Sequence, residues 1–200
     1  MFIEHVRLER VYREILFQRF EHGVSEFRER EIAKRCGLAV SSVSYALRPL
    51  KGIGAVEVHR RGFRLLDPWK TLIYWCSVRS LWRDVVYLNE LDLQVREIEE
   101  SLPPSSIPTA YTGFKLRFGY APADYGEVLT YGIREEFEDR FGDERRSSRP
   151  NLIVLKMDEH LRGLGRLPLA QLYVDLWNLE TWYAQEFLRR IEEYLRRTVE

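Results

Sequence analysis

Cysteine is scarce. Cys36 and Cys76 are the only two among 200 residues, and neither lies in a CxxC or other metal-ligand spacing. That argues against a disulfide scaffold or a zinc module, and two lone thiols suit a reducing cytoplasm. No apolar run approaches the roughly 18 residues of a membrane span. The opening MFIEHVRLER is too charged to act as a secretory leader. A cytoplasmic chain with no membrane partner is expected. Internal repeats and low-complexity tracts are missing, as are a GxSxG elbow, a P-loop and a GxGxxG between strand and helix. Neither cofactor nor metal is expected.

Hydrophobic residues make up 45% and charged residues 31%, a balance that folds into a core. Two hundred residues suit one large domain or two small ones. Net charge is also absent, but its zero hides an asymmetry. Residues 1–66 hold 13 Lys and Arg against 8 Asp and Glu, a net of +5, which leaves −5 for residues 67–200. Three of the four histidines (His5, His22, His59) lie in the basic part as well. A basic head on an acidic body points to an anionic partner for the head.

Periodicity divides the chain. Val6, Leu8, Val11, Tyr12, Ile15, Leu16 and Phe20 have helical spacing over residues 3–21, with Gly23 as the stop. A second short helix is predicted over FRER and EIAKRC, with Phe27, Ile32, Ala33 and Cys36 inward. Gly37 turns the chain into a third helix over residues 41–50, whose apolar stripe is Val43, Ala46, Leu47 and Leu50. The pattern then alternates over 55–59, turns at Arg60-Arg61-Gly62 and returns over 63–66, which reads as a β-hairpin. Asp67-Pro68 reads as an N-cap with proline at the first helical position. Domains of residues 1–67 and 68–200 follow.

The second region mixes helix and strand. DVVYLNEL, GEVLTYGI and NLIVLKM read as strands, and QVREIEESL, TAYTGFKLRFG and REEFEDRFG as helices. LRGLGRLP reads as a loop before two closing helices.

Helix, glycine turn, helix and hairpin is the order of a winged helix-turn-helix. A helix fits the major groove, and short polar side chains at its start allow close approach to the bases. Removing the inward stripe leaves Ser41, Ser42, Ser44, Tyr45 and Arg48 facing out. Phosphate contacts are expected from Lys34, Arg35, Lys51, Arg60 and Arg61, and base discrimination from Ser41, Ser42, Tyr45 and Arg48. Singly, each feature also fits a solvated helix or a plain polar turn. Their combination favours double-stranded DNA, with a protein-binding wing as the alternative. A homodimer would suit a palindromic site.

EIAKRCGLAVSSVSYALRPLKGIGAVEV resembles the helix-turn-helix of many prokaryotic regulators. It departs from them at Ala39, where a capping serine is usual, and at Pro49, which removes a backbone donor near the helix end. SLPPSSIPTAYTGFKLRFG, NLIVLKMD and PLAQLYVDLWNLETWYAQEFL resemble the AbiEi family of transcriptional regulators, antitoxins of type IV toxin–antitoxin systems. That resemblance implies a DNA-binding repressor acting on a toxin operon. It also implies an α+β C-terminal domain related in fold to nucleotidyltransferases.

Nucleotide transfer needs clustered carboxylates around two metal ions. Thr112-Gly113-Phe114 stands near the expected turn, Asp124 offers one acid where two are wanted, Glu127 comes one residue late, and Asp158 ends a strand. The pattern is broken, so no catalytic residue is assigned, and a nucleotidyltransferase that holds its substrate with the winged head is the rival reading. Asp175, beside Tyr173 and Trp177, reads as a buried hydrogen-bonding carboxylate or cap. The five tryptophans (Trp69, Trp75, Trp82, Trp177, Trp182) read as helical core or as an interface with the closing helices.

Overall fold

The computed structural model describes residues 2–145 and 149–199, with side chains from residue 8 to 197 within them. The chain is a mixed α+β fold with two sheets. It divides into two compact units, Met1–Arg79 with Pro168–Val174 and Tyr194–Glu200, and Ser80–Leu167 with Asp175–Glu193.

The first unit is built around helix α1 (Phe2–His22). Val11, Tyr12, Ile15, Leu16 and Phe20 are buried on it as their spacing predicts, and Leu8 is half-buried, while the Val6 side chain lies outside the described residues. Glu9, Arg13 and Glu14 are buried too. Interior charges need partners. Arg79 donates to Glu9 at 2.6 Å, Arg13 Nε to the Gln171 carbonyl oxygen at 2.7 Å, and Gln18 to Glu14 at 3.0 Å.

Strand β1 (Glu26–Phe27) comes next, where the periodicity predicts helix. Phe27 pairs with Phe63 across an antiparallel ladder, and their rings stack at 5.2 Å. A cross-strand aromatic pair outweighs local helical spacing at this residue. Helix α2 (Glu29–Cys36) therefore begins two residues later and ends at Gly37, whose φ of 65° suits the left-handed cap. Helix α3 (Val40–Gly52) follows. Strands β2 (Val56–His59) and β3 (Gly62–Leu65) form the expected hairpin, and the sheet order is β1-β3-β2. Helix α4 (Pro68–Val78) opens as read, with Asp67 Oδ1 accepting from the Lys70 amide at 2.9 Å.

In the second unit, strands β4 (Val85–Asn89), β5 (Ile107–Thr109), β6 (Val128–Gly132) and β7 (Leu152–Lys156) make a sheet of order β4-β7-β6-β5. Among the described residues only β6 and β7 pair in parallel, joined through helix α7 (Arg134–Phe141). Helix α5 (Val95–Glu100) follows β4, and α6 (Ala110–Phe118) continues directly from β5. Tyr87, Ile98, Val128, Phe137, Leu152 and Val154 form one core. Strand β5 is absent from the periodicity because it is three residues long and contains Pro108, which a sheet accepts at an edge.

The stretch read as a loop after β7 begins as helix α8 (Glu159–Leu164). Two caps make so short a helix: Asp158 accepts from the Leu161 amide at 3.0 Å, and Gly165 closes the end with φ 64°. Helices α9 (Leu169–Trp177) and α10 (Ala184–Val199) close the chain. Of the tryptophans, Trp75 is fully buried, and Trp69 meets Tyr173 edge-on under the Arg196 guanidinium. Trp82, Trp177 and Trp182 are exposed instead, Trp182 by 76%. They lie in a 3-10 turn, at a helix end and in a turn, where no helical stripe directs them inward.

Candidate nucleic-acid interface

Helix α3 has one sealed face and one open face. Val43, Ala46, Leu47 and Leu50 are buried, and the Ala46 carbonyl accepts from the Tyr12 hydroxyl at 3.2 Å, which fixes α3 against α1. Ser41, Tyr45, Arg48 and Lys51 are exposed, and Ser42 and Ser44 are half-buried. The Arg48 guanidinium lies 5.5 Å from the Tyr45 ring centroid, within cation–π range. Ser44 Oγ donates to the Glu29 carboxylate, and the Val40 carbonyl lies 3.2 Å away as a second acceptor. Ala39 is the N-cap residue and supplies no side-chain bond, as its identity predicts.

The hairpin tip carries Arg60 and Arg61, both exposed and both without an ion pair among the described residues. The turn depends on Gly62. Its φ is 155°, and a Cβ there would stand 2.0 Å from the Phe27 carbonyl oxygen. Nearer the sheet, Glu26 gathers His59 at 3.3 Å and Arg64 at 3.5 Å. The Arg64 charge is therefore partly neutralised, in contrast to Arg60 and Arg61 at the tip.

Lys34 and Arg35 occupy the exposed last turn of α2. Lys34 has no ion pair among the described residues, while Arg35 Nε stands 3.6 Å from the buried Glu14. The predicted residues thus group on α2, α3 and the hairpin of a single unit. Glu29 and Val40 escaped the sequence reading. Val40 is 40% exposed and apolar at the first position of α3, whereas Glu29 meets Ser44 across fifteen residues with no motif to announce it.

The acids of the second unit are dispersed into separate tasks. Asp124 is exposed, Glu127 accepts from the Tyr183 hydroxyl at 2.5 Å, and Asp158 caps α8. Thr112, Gly113 and Phe114 are buried inside α6, not in a turn open to phosphate. Asp175 is fully buried and accepts from Thr109 and Tyr131, each at 2.7 Å, as the sequence suggests. Among the described residues no three His, Cys, Asp or Glu side chains converge as a metal-holding group.

Glu99 is a well-connected carboxylate of the second unit. It accepts from Thr112 at 2.9 Å, Tyr125 at 2.5 Å and Lys115 at 2.6 Å. Burial works against its charge, but the bonds from Lys115, Tyr125 and Thr112 outweigh burial and hold its pKa below the ordinary value. Burial first, then the neighbouring Glu99, pushes the Tyr125 phenol up, so it remains a neutral donor. No helix among the described residues is long and apolar enough to cross a membrane. Compared with known proteins, the chain matches no family model, no curated protein and no solved structure.

Proposed function

We propose that this protein is a sequence-specific regulator that binds double-stranded DNA, its first unit acting as a winged helix-turn-helix. The observation that carries this reading is α3 itself, packed along one face and open along the other, followed by a hairpin tip whose two arginines have no ion pair among the described residues. In this reading Lys34, Arg35, Lys51, Arg60 and Arg61 contact phosphates, and the open face of α3 enters the major groove. The wing serves affinity, and Arg48 serves discrimination.

The stretches that resemble AbiEi regulators extend the reading to a cytoplasmic repressor and antitoxin of a type IV toxin–antitoxin system. By the same resemblance, the second unit is a body of nucleotidyltransferase-like shape, and the broken carboxylate pattern of its sequence leaves it without a complete catalytic centre.

Gel shifts on the DNA upstream of the protein's own coding sequence test the regulator reading. Salt-dependent binding is expected, and Arg48→Ala should lower the preference for that DNA over unrelated duplex by about 1–3 kcal/mol. Absence of salt-dependent binding to any duplex would refute it. A toxin-like nucleotidyltransferase gene next to this one is the expected genomic signature of the antitoxin role.

A further inference from the structure

Val40, Ser44 and Arg48 lie four residues apart on α3, so they follow one another along one side of the helix at about 6 Å per step. Their chemistry differs in an ordered way. Val40 presents an exposed apolar side chain at the helix start, among hydroxyl-bearing neighbours. Ser44 Oγ faces two acceptors, the Glu29 carboxylate and the Val40 carbonyl. A hydroxyl has one proton, and the Glu29 carboxylate, charged and nearer than the Val40 carbonyl, takes it, so Ser44 keeps only lone pairs for an outside partner. The half-buried Glu29 carboxylate beside it also only accepts. Arg48, one turn further on, only donates.

The row therefore runs apolar, acceptor, donor. Base edges in the major groove offer the complements: the thymine methyl, the exocyclic amine of adenine or cytosine, and the O6 and N7 of guanine. An acceptor patch repels phosphate, so the middle of the row is unsuited to backbone contact and suited to an amine-bearing base edge.

We propose that Val40, Ser44 and Arg48 form the base-reading row of α3, with Glu29 as the positioning residue that keeps Ser44 an acceptor. The target is a duplex that presents a thymine methyl, an adenine or cytosine amine and a guanine edge in that order along the major groove. This assignment rests on the DNA-binding reading above and specifies its ligand.

The test begins with enrichment of binding sites from randomised duplex DNA by the full chain. Each thymine of the enriched site is then replaced by deoxyuridine, each adenine by purine lacking the N6 amine, and each cytosine by the analogue lacking the N4 amine. One methyl deletion and one amine deletion should each weaken wild-type binding about fivefold. Val40→Ala should abolish the methyl effect alone. Ser44→Ala and Glu29→Gln, whose new amide can donate to Ser44, should abolish the amine effect alone. Affinity for unrelated duplex and the melting temperature should stay near wild-type values. If Glu29→Gln instead weakens all duplexes alike and lowers the melting temperature, its positioning role is overturned. Wild-type indifference to every methyl and amine deletion overturns the row while DNA binding stands. Failure to enrich any site overturns the regulator reading and the row with it.

Discussion

Single residues do incompatible jobs here, and their surroundings decide which. Gly62 opens β3 directly after the hairpin turn and faces the Phe27 carbonyl of β1, so a methyl group would collide with the Phe27 backbone. Gly62→Ala should destabilise the first unit by about 2 kcal/mol or more, read as a lower urea midpoint. Glu99 carries the opposite lesson, a charge favoured by its neighbours. Its pKa is lower folded than unfolded, so the stability it supplies is present above the unfolded value near pH 4. That stability is lost as pH falls through the lower folded value. Glu99→Gln should therefore cost more stability at pH 7 than at pH 3, which denaturation at the two pH values would show. A loss equal at both would place its role in packing instead of charge.

At the scale of elements, α3 is well packed but poorly started. Ala39 has the extended backbone of an N-cap, φ −71° and ψ 150°, without an oxygen to offer the helix. Ala39→Ser should add about 1 kcal/mol to stability, measured as a higher thermal midpoint. Elements with strong local signals were legible in the sequence. The buried stripe of α3, the hairpin and the Asp67 cap each follow from spacing or from one capping residue. Elements made by distant pairing were not. Phe27 belongs to a strand because Phe63 stacks on it from across the sheet, and β5 is a three-residue edge paired to β6. Helix α8 depends on caps at both ends instead of on a long apolar repeat. The candidate site divides the same way. The exposed cations can be listed from periodicity, but the Glu29–Ser44 bond exists only once α2 and α3 meet.

At the scale of the whole molecule, charge is unevenly placed along a chain that is neutral overall. The net +5 of residues 1–66 belongs to the unit that carries α3 and the hairpin, while residues 67–200 carry −5. Such a division directs a polyanion to one part of the chain and repels it from the other. The sequence boundary at Asp67–Pro68 coincides with the cap of α4, whereas the first compact unit continues to Arg79 and takes in two later segments. Gln171 is in one of those segments and receives the Arg13 hydrogen bond, a contact 158 residues apart in sequence that no local pattern can reveal.

The most direct test of DNA binding is the salt dependence of the association constant for a fixed duplex, with wild type compared against Arg60→Ala/Arg61→Ala. Each phosphate contact contributes about 0.9 to the slope of log K against log salt. The double variant should bind every duplex more weakly, with its slope shallower by about 1.8. An unchanged slope would contradict the assignment of the hairpin tip to the DNA backbone.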